Sequence, residues 1–359
     1  MGAALVLAGR GLGRAAPNPA VGCVIVKDGR VVGRGWTQPG GRPHAEAEAL
    51  ARAGEAARGA CAYVTLEPCA HHGRAAPCAE ALIAAGVARC VVALEDPDPR
   101  VAGAGLARLR AAGVEVVTGP GAETAAEVNA GYLLRRRAGR PLVTLKLATT
   151  LDGRIATKRG ESRWITGAAA RARSHLLRAS HDAVLVGSGT AVADNPRLDV
   201  RLPGLSAASP LRVVLDGRLR LPLTHDLVLR AREQPTLLLT RAHGERARRH
   251  AYEDAGVQII PLEEDEEGRV SLRAALRALA ERGLTRVLVE GGGRIAAGLL
   301  RLGLVDRLVW FHGPRILGAD GMPAVGGLGL ESLADAPEFA LRSVARVGED
   351  VVESYARPV

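Results

Sequence analysis

Apolar residues recur along this chain in short runs, separated by turn residues or by segments with helical periodicity. The runs that predict strands in the first third lie at 23–26, 31–35, 62–66, 90–94 and 114–117. The segments that predict helices there lie at 3–9, 44–52, 79–85 and 105–112. Beyond the first helix, the order β-β-α-β-α-β-α-β predicts a three-layer α/β domain.

The same alternation resumes at Leu142, where a second series of strands begins. Further strands are predicted at 183–186, 211–215, 236–240, 257–261 and 286–290, with helices between them. The tail from Leu304 to Tyr355 has mostly the pattern of strands. Residues 121–141 alternate in charge and predict a helical connector, so we divide the chain into domains at 1–120 and 142–359.

The composition favours a large packed core and argues against a membrane-spanning segment. Hydrophobic residues make up 47% of the chain, yet no apolar run approaches the length of a membrane helix, roughly 18 residues. The segment Met1–Ala8 lacks the basic start of a signal peptide. We therefore predict a cytoplasmic protein with no membrane partner.

The net charge of +10 raises the question of a nucleic-acid partner. Residues 1–120 hold 13 Lys/Arg against 10 Asp/Glu, and the remaining excess is scattered along the chain. Aromatic residues, which would stack on bases, are only 3% of the total. Diffuse basic charge is typical of a solvated surface, so we predict no nucleic-acid partner.

One histidine, two cysteines and a glutamate have the spacing of a hydrolytic zinc site. The motif H-A-E begins at His44, the motif P-C ends at Cys69, and Cys78 follows nine residues later. A tetrahedral Zn²⁺ with three protein ligands keeps its fourth position for water, whose pKa it lowers. This is the arrangement of zinc deaminases, in which a free glutamate carries protons. We predict Zn²⁺ on His44, Cys69 and Cys78, with Glu46 as the catalytic residue.

A structural zinc site is the main alternative, since His71 or His72 could supply a fourth ligand. Glu46 would then have no evident task. Asn18, between two prolines, is either a turn residue or an amide that recognises the edge of a heterocycle beside the metal.

A second candidate site lies in the later part of the chain. The sequence V-E-G-G-G at 289–293 follows a predicted strand and precedes a helix, so its backbone N–H groups could approach a phosphate. It is not the G-x-G-x-x-G fingerprint and could equally be a plain turn. Arg178 and Arg201 are either surface residues or phosphate partners, and Trp164 is either a core residue or part of this site.

Over nearly its whole length the chain resembles the bifunctional riboflavin-biosynthesis deaminase/reductases. The first part carries P-N-P-A-V-G-C-V-I-V-K-D-G, H-A-E, Y-V-T-L-E-P-C-A-H-H-G-R and P-C, as in the deaminase domain. The second carries L-K-L-A-T-T-L-D-G-R-I-A, G-E-S-R-W-I-T, A-D-N-P-R-L and V-E-G-G, as in the reductase domain. The resemblance implies a cytidine-deaminase-like α/β/α domain followed by an α/β domain similar in fold to dihydrofolate reductase.

The resemblance also implies two consecutive reactions on a pyrimidine ribotide, a zinc-dependent hydrolytic deamination and an NADPH-dependent reduction of its ribosyl group. The positions implied to contact substrate are Asn18, His71 and Arg74 in the deaminase, and Lys146, Asp152, Ser162, Arg178, Leu198, Arg201 and Glu290 in the reductase. The positions implied to contact NADPH are Ala148, Trp164, Thr190, Asp194, Gly292 and Gly293.

The chain departs from the family pattern at three places near the expected substrate contacts. Thr37 stands where relatives often carry a histidine, Ala75-Ala76 replaces Thr-Pro, and Ala15-Ala16 precedes Pro17 where a hydroxyl residue is common. We expect a homo-oligomer.

There are two alternatives to a bifunctional enzyme. Either only one domain is active, or the chain is a zinc protein that binds or edits nucleic acid.

Overall fold

Two units, Met1–Arg140 and Pro141–Val359, make up the computed structural model of the chain. The structure describes residues 1–72, 76–99, 101–243 and 246–358. Within these ranges, none of the helices has both the length and the apolar character that crossing a membrane requires.

The first unit is built on a five-stranded sheet. Its elements are α1 (Gly2–Gly9), β1 (Gly22–Lys27), β2 (Arg30–Trp36), α2 (Ala45–Ala53), β3 (Cys61–Val64), α3 (Cys78–Ala84), β4 (Arg89–Val92), α4 (Ala104–Ala111), β5 (Glu115–Thr118), α5 (Ala122–Val128) and α6 (Ala130–Ala138). The strand order is β2-β1-β3-β4-β5. Strand β1 is antiparallel to β2 and β3, whereas β3, β4 and β5 run parallel. The predicted order of strands and helices is confirmed.

Glycines allow helices to pack very closely on both faces of this sheet. A Cβ atom at Gly33 or Gly35 would overlap a backbone carbonyl oxygen of α2, and one at Gly22 would overlap the carbonyl oxygen of Ala4 in α1. Gly35 in β2 lies opposite Cys23, the residue that follows Gly22 in β1. Successive residues of a strand point to opposite faces of the sheet, so the Cβ positions of Gly22 and Gly35 do as well. Helices α1 and α2 therefore cover opposite faces, as in a three-layer domain.

The helices α5 and α6, which span most of the predicted connector, belong to the first unit. Buried Asn129, between them, accepts a hydrogen bond from the N–H of Ala20 at 2.9 Å and donates one to its carbonyl at 3.1 Å. On α6, the Tyr132 hydroxyl donates to the carboxylate of Asp96 at 3.0 Å. These contacts fix α6 to two loops of the sheet. How the two activities divide between domains stays a prediction.

The second unit is built on a nine-stranded sheet. Its elements are β6 (Leu142–Thr150), β7 (Arg154–Ala156), α7 (Ala168–Ala179), β8 (Ala183–Gly187), α8 (Ser188–Asp194), β9 (Leu211–Leu215), α9 (Asp226–Leu229), β10 (Thr236–Arg241), α10 (Arg246–Asp254), β11 (Gln258–Leu262), α11 (Leu272–Glu281), β12 (Arg286–Glu290), α12 (Gly293–Arg301), β13 (Arg307–Gly313), β14 (Met322–Pro323), β15 (Ala340–Val347) and β16 (Asp350–Ala356). The strand order is β11-β10-β9-β8-β12-β6-β13-β16-β15.

Most of this sheet is parallel and buried on both faces. Alternate residues of β8 belong to different apolar clusters, with Ala183 and Leu185 in one and Val184 and Val186 in the other. Continuous apolar strands of this kind are typical of parallel sheets covered by helices. Only β16 and β15, at one end, add antiparallel pairs.

The prediction that the tail is mostly strand is only partly right. Strands β13, β15 and β16 form, but residues 314–339 contain only the two-residue β14 and a short 3-10 turn at Leu333–Asp335. Repeated glycine and proline in this stretch remove side chains and N–H donors that a continuous ladder needs.

We expect Asn129→Ala to destabilise the first unit, because Ala20 would lose the partner of both its backbone polar groups. A buried polar group without a partner costs about 1–3 kcal/mol. Thermal unfolding followed by the fluorescence of Trp36, with Trp164 and Trp310 replaced by phenylalanine, would measure this. The exposed Glu123→Ala is the control, with a change within about 0.5 kcal/mol. An unchanged melting temperature for Asn129→Ala would contradict a stabilising role of these two hydrogen bonds.

Candidate active sites

Three metal-ligating side chains meet in the first unit where two helices begin. His44 immediately precedes α2, Cys78 is the first residue of α3, and Cys69 lies in the turn after β3. Their ligand atoms all lie within 4.8 Å of one another. His44 Nδ1 is 3.3 Å from Cys78 Sγ and 3.7 Å from Cys69 Sγ. The N–H of Cys78 donates to Cys69 Sγ at 3.2 Å, which orients that sulfur.

The geometry and charge of this cluster fit Zn²⁺. With Zn–S near 2.3 Å and Zn–N near 2.0 Å, tetrahedral nitrogen and sulfur ligands lie about 3.6 Å apart, close to the separations of this cluster. Hydrogen bonding from the Cys78 thiol lowers the pKa of Cys69 to about 4, while the neighbouring Cys69 raises the pKa of Cys78. Two thiolates can coexist here only with a cation between them.

Neither His71 nor His72 joins the cluster of ligand atoms formed in the described part of the chain. His72 Nε2 instead lies 3.4 Å from Glu80 Oε1 and is largely exposed. His71 keeps a buried Nδ1 for which the described residues supply no hydrogen-bond partner. Three protein ligands leave a fourth coordination position, as in catalytic rather than structural zinc sites.

Glu46 and Asn18 stand beside the cluster. Glu46 lies in the first turn of α2 and is only 4% exposed. Burial raises its pKa to about 7, although nearby His44 opposes the shift. Asn18 Nδ2 donates to the carbonyl of Gly41 at 2.8 Å and lies 3.3 Å from His44 Nε2. A carboxyl group that titrates near neutrality can both take up and release a proton. Arg74 lies outside the described residues.

The second unit contains a cleft of about 1040 Å³ at the carboxyl ends of its parallel strands. Ligands of open α/β sheets bind at this edge. The residues implied by the family resemblance that line it are Lys146, Ala148, Ser162, Trp164, Arg178, Thr190, Asp194, Leu198, Glu290, Gly292 and Gly293.

Asp152 and Arg201 are not among the lining residues. The carboxylate of Asp152 accepts hydrogen bonds from the Thr150 hydroxyl at 2.6 Å and the Gly318 N–H at 2.7 Å, which lower its pKa. Arg201 is exposed and ion-paired with Asp199. In this structure Asp152 holds a loop, and the substrate contact of both residues stays a prediction.

A nearly buried ion pair forms one wall of the cleft. Arg178 on α7 binds Glu290, at the end of β12, through two hydrogen bonds of 2.6 and 2.9 Å. Burial alone would raise the pKa of Glu290, but Arg178 and Lys146 outweigh it and lower the pKa to about 2. Burial also lowers the pKa of Lys146. Arg178 is therefore held inside the cleft and is not a surface residue.

The glycine turn after β12 forms another wall. Gly291 and Gly292 have φ of 84° and 91°, which L side chains rarely adopt, and α12 begins at Gly293. Thr190 on α8 lies close to this turn. All three glycines line the cleft, so the positive N-terminal end of α12 lies beside it. Trp164 is 59% exposed, with the Arg171 guanidinium 4.5 Å from its ring centroid, so it is not a core residue.

Sequence reasoning missed several arginines that also line the cleft, among them Arg218, Arg220 and Arg241. The first two follow β9, and Arg220 Nη2 donates to Ser188 Oγ at 2.8 Å. The available signal was D-G-R-L-R directly after a predicted strand. These cations make the cleft suitable for anionic ligands.

We expect Arg178→Met to lower the free energy of unfolding of the second unit by about 3 kcal/mol at neutral pH. It leaves Glu290 charged and nearly buried, and only Lys146 remains to offset that charge. Urea denaturation followed by the fluorescence of Trp164 and Trp310, with Trp36 replaced, would measure the loss, and Glu290→Gln added to the variant should recover part of it. The exposed Arg173→Met on the same helix is the control.

The same pair gives a pH dependence with a definite sign. The pKa of Glu290 falls from its usual 4.5 to about 2 in the folded chain. The stabilisation is therefore present above about pH 4.5 and is lost as pH falls towards 2. An Arg178→Met variant with the same free energy of unfolding as the parent chain at pH 7 would show that the ion pair gives no net stabilisation.

Known protein families match both units. The model described as the cytidine and deoxycytidylate deaminase zinc-binding region matches residues 1–94, and the model described as the RibD C-terminal domain matches residues 141–353. Riboflavin biosynthesis protein RibD of Escherichia coli is 44% identical, covering 98% of this chain and 96% of its own. The protein of the same name in Aquifex aeolicus is 41% identical, covering 99% and 96%.

Solved structures agree with this similarity. Acinetobacter baumannii RibD, form 1, superposes with a TM-score of 0.88 at 39% identity and covers 99% of this chain and 97% of its own. The diaminohydroxyphosphoribosylaminopyrimidine deaminase/5-amino-6-(5-phosphoribosylamino)uracil reductase of Thermotoga maritima has a TM-score of 0.85 at 33% identity, with the same coverage. The fold class predicted from the sequence is confirmed for both units.

Proposed function

The chain belongs to the RibD family of riboflavin-biosynthesis proteins and is a bifunctional deaminase and reductase, and from this premise we propose which residues perform each step. The deaminase substrate is a diaminopyrimidinone that carries a ribosylamino 5′-phosphate. Its 2-amino group leaves as ammonia, and the ribosyl group of the product is then reduced to ribityl.

In the deaminase, His44, Cys69 and Cys78 would hold Zn²⁺. When bound, the metal supplies a water of lowered pKa as the nucleophile. Glu46 would carry one proton of the attacking water to the pyrimidine ring nitrogen, and then the proton of the added hydroxyl to the leaving amine, which departs as ammonia. Asn18 places its side-chain amide beside the metal site and binds the ring edge. The observation that carries this assignment is a buried carboxyl two residues from His44, beside a cluster of three metal-ligating side chains.

In the reductase, the cleft at the carboxyl edge of the large sheet would bind NADPH and the ribotide side by side. NADPH supplies the hydride, so the protein mainly orients the sugar carbon against the nicotinamide. The glycine turn and α8, with Thr190 and Asp194, would hold the cofactor. Arg178, Glu290 and Lys146 form a fixed polar wall for the ribosyl group. The pyrimidine ribotide is a small anionic ligand, and we expect no nucleic-acid partner.

We expect Glu46→Gln to abolish ammonia release while the full chain still binds zinc and still reduces the supplied deaminated intermediate. The amide keeps the shape of the side chain but cannot carry the proton. Ammonia release and NADPH oxidation, followed together with the diaminopyrimidine ribotide, would test this. Glu48→Gln, on the same helix, is the matched control.

Normal deamination by Glu46→Gln would rule out Glu46 as the proton carrier. Failure of the wild-type chain in only one of the two assays would instead indicate that only one domain is active. Zinc content measured in the same samples separates a lost metal from a lost proton carrier.

We also propose that the chain is a homo-oligomer joined at the β15 edge of the large sheet. Seven of the eight residues of β15 are exposed, including Leu341 and Val344 at 56% and 57%. An unpaired apolar edge strand is a ready template for pairing with a second copy. The cytoplasmic location stays a prediction.

Light scattering coupled to size exclusion would test the oligomer. We expect at least a dimeric mass for the wild type and a monomer for Val344→Lys, because a charge at the centre of the interface is desolvated on association. Leu302→Lys places the same charge at an apolar residue exposed elsewhere on the unit and should leave the mass unchanged. A monomeric wild type would contradict the proposal.

A further inference from the structure

Glu67 lies in the turn that carries Cys69. It has no role in either proposed reaction, yet its side chain makes four hydrogen bonds. Its carboxylate is only 4% exposed and accepts four backbone N–H groups. Oε1 accepts from Gly105 at 2.9 Å and Leu106 at 3.2 Å, and Oε2 accepts from Gly103 at 3.0 Å and Asp96 at 3.2 Å. All four donors are at least 29 residues away along the chain.

Three of these donors form the start of helix α4, which has no side-chain cap of its own. Glu67 therefore caps α4 from a distant part of the chain, where a negative charge is favoured by the helix dipole. The two segments also touch through their backbones. A Cβ atom at Gly105 would overlap the carbonyl oxygen of Pro68, so only glycine lets α4 approach the turn this closely.

The turn is thus anchored on two sides. On one side, the Cys69 carbonyl accepts from the Ala79 N–H at 3.2 Å and Cys69 Sγ accepts from the Cys78 N–H, both donors belonging to α3. On the other side, Glu67 ties the turn to α4. The second anchor continues to α6, since Asp96, bonded through its N–H to Glu67, accepts from the Tyr132 hydroxyl.

We propose that Glu67 is a positioning residue for the metal site. It touches neither the metal position nor the substrate, but it fixes the backbone on which Cys69 projects towards His44 and Cys78. The inference rests on the zinc site of the proposed function. Groups behind metal ligands commonly change metal affinity by about 10–100-fold when they are altered.

The test uses the full-length chain stripped of metal and titrated with Co²⁺ and Zn²⁺. Glu67→Gln replaces one acceptor oxygen with an NH₂ donor that faces N–H groups. We expect its metal dissociation constant, measured by chelator competition, to rise at least about tenfold, with a weakened thiolate-to-cobalt absorption band. The reductase activity of the same sample should be unchanged.

Thr65→Val is the matched control for general destabilisation. Thr65 is equally buried, lies two residues before Glu67 and accepts from the Gly22 N–H at 3.0 Å, away from α4. We expect it to lower the melting temperature with wild-type metal affinity. If Glu67→Gln fails to fold, Gly105→Ala disturbs the same link from the side of α4 and should weaken metal binding in the same way.

Wild-type affinity and cobalt spectrum in Glu67→Gln, or in Gly105→Ala if the first variant is unfolded, would overturn the proposal, whatever the change in melting temperature. Equal weakening by Thr65→Val would also overturn it, since the effect would then be general. A wild-type chain that binds neither metal would refute the zinc site itself, which is a distinguishable failure.

Discussion

The deaminase site depends on how closely helix α2 can lie against strand β2. Gly33 and Gly35 place no side chain between the strand and the helix, and a Cβ atom at either residue would collide with the helix backbone. Because His44 and Glu46 are at the start of this helix, displacing it would move a proposed metal ligand and the proposed proton carrier together. Glu46 is itself buried at the start of this helix, and its burial raises its pKa. The close approach of α2 to β2 thus sets the position of two side chains of the site.

The two units bury charge in opposite ways. In the first, a hydrogen bond from Cys78 favours the Cys69 thiolate, which in turn raises the pKa of Cys78, so ionisation of both sulfurs needs a cation and the cluster fits a dication. In the second, Glu290 is already neutralised by Arg178, and further arginines line the cleft. That cleft has spare positive charge and fits phosphorylated ligands. The charge of the first site therefore favours a cation, and the charge of the second favours an anionic ligand.

Local sequence signals were enough to predict most of the helices and strands and the three side chains that meet as candidate metal ligands. His44, Cys69 and Cys78 lie at helix starts or in a turn next to a strand, so motif spacing and helix prediction together place them near one another. The same signals could not place Asp152, which belongs to a specific motif yet holds a loop through the Gly318 N–H. They also missed Arg220, because which side chains reach a cleft depends on the packing of distant strands.

The segment 121–141 shows why the boundary of a site is harder to predict than its centre. Its alternating charges are those of a solvated helix, and nothing in them indicates that Asn129 pairs with a backbone 109 residues earlier. Such contacts are invisible to periodicity, since one buried amide does not change the pattern of a helix face. Yet a buried backbone group must find a partner, and for Ala20 that partner is supplied from beyond the last strand of the sheet. A first unit cut after β5 would keep His44, Cys69 and Cys78 but would lose the Asn129 side chain that holds the backbone of Ala20.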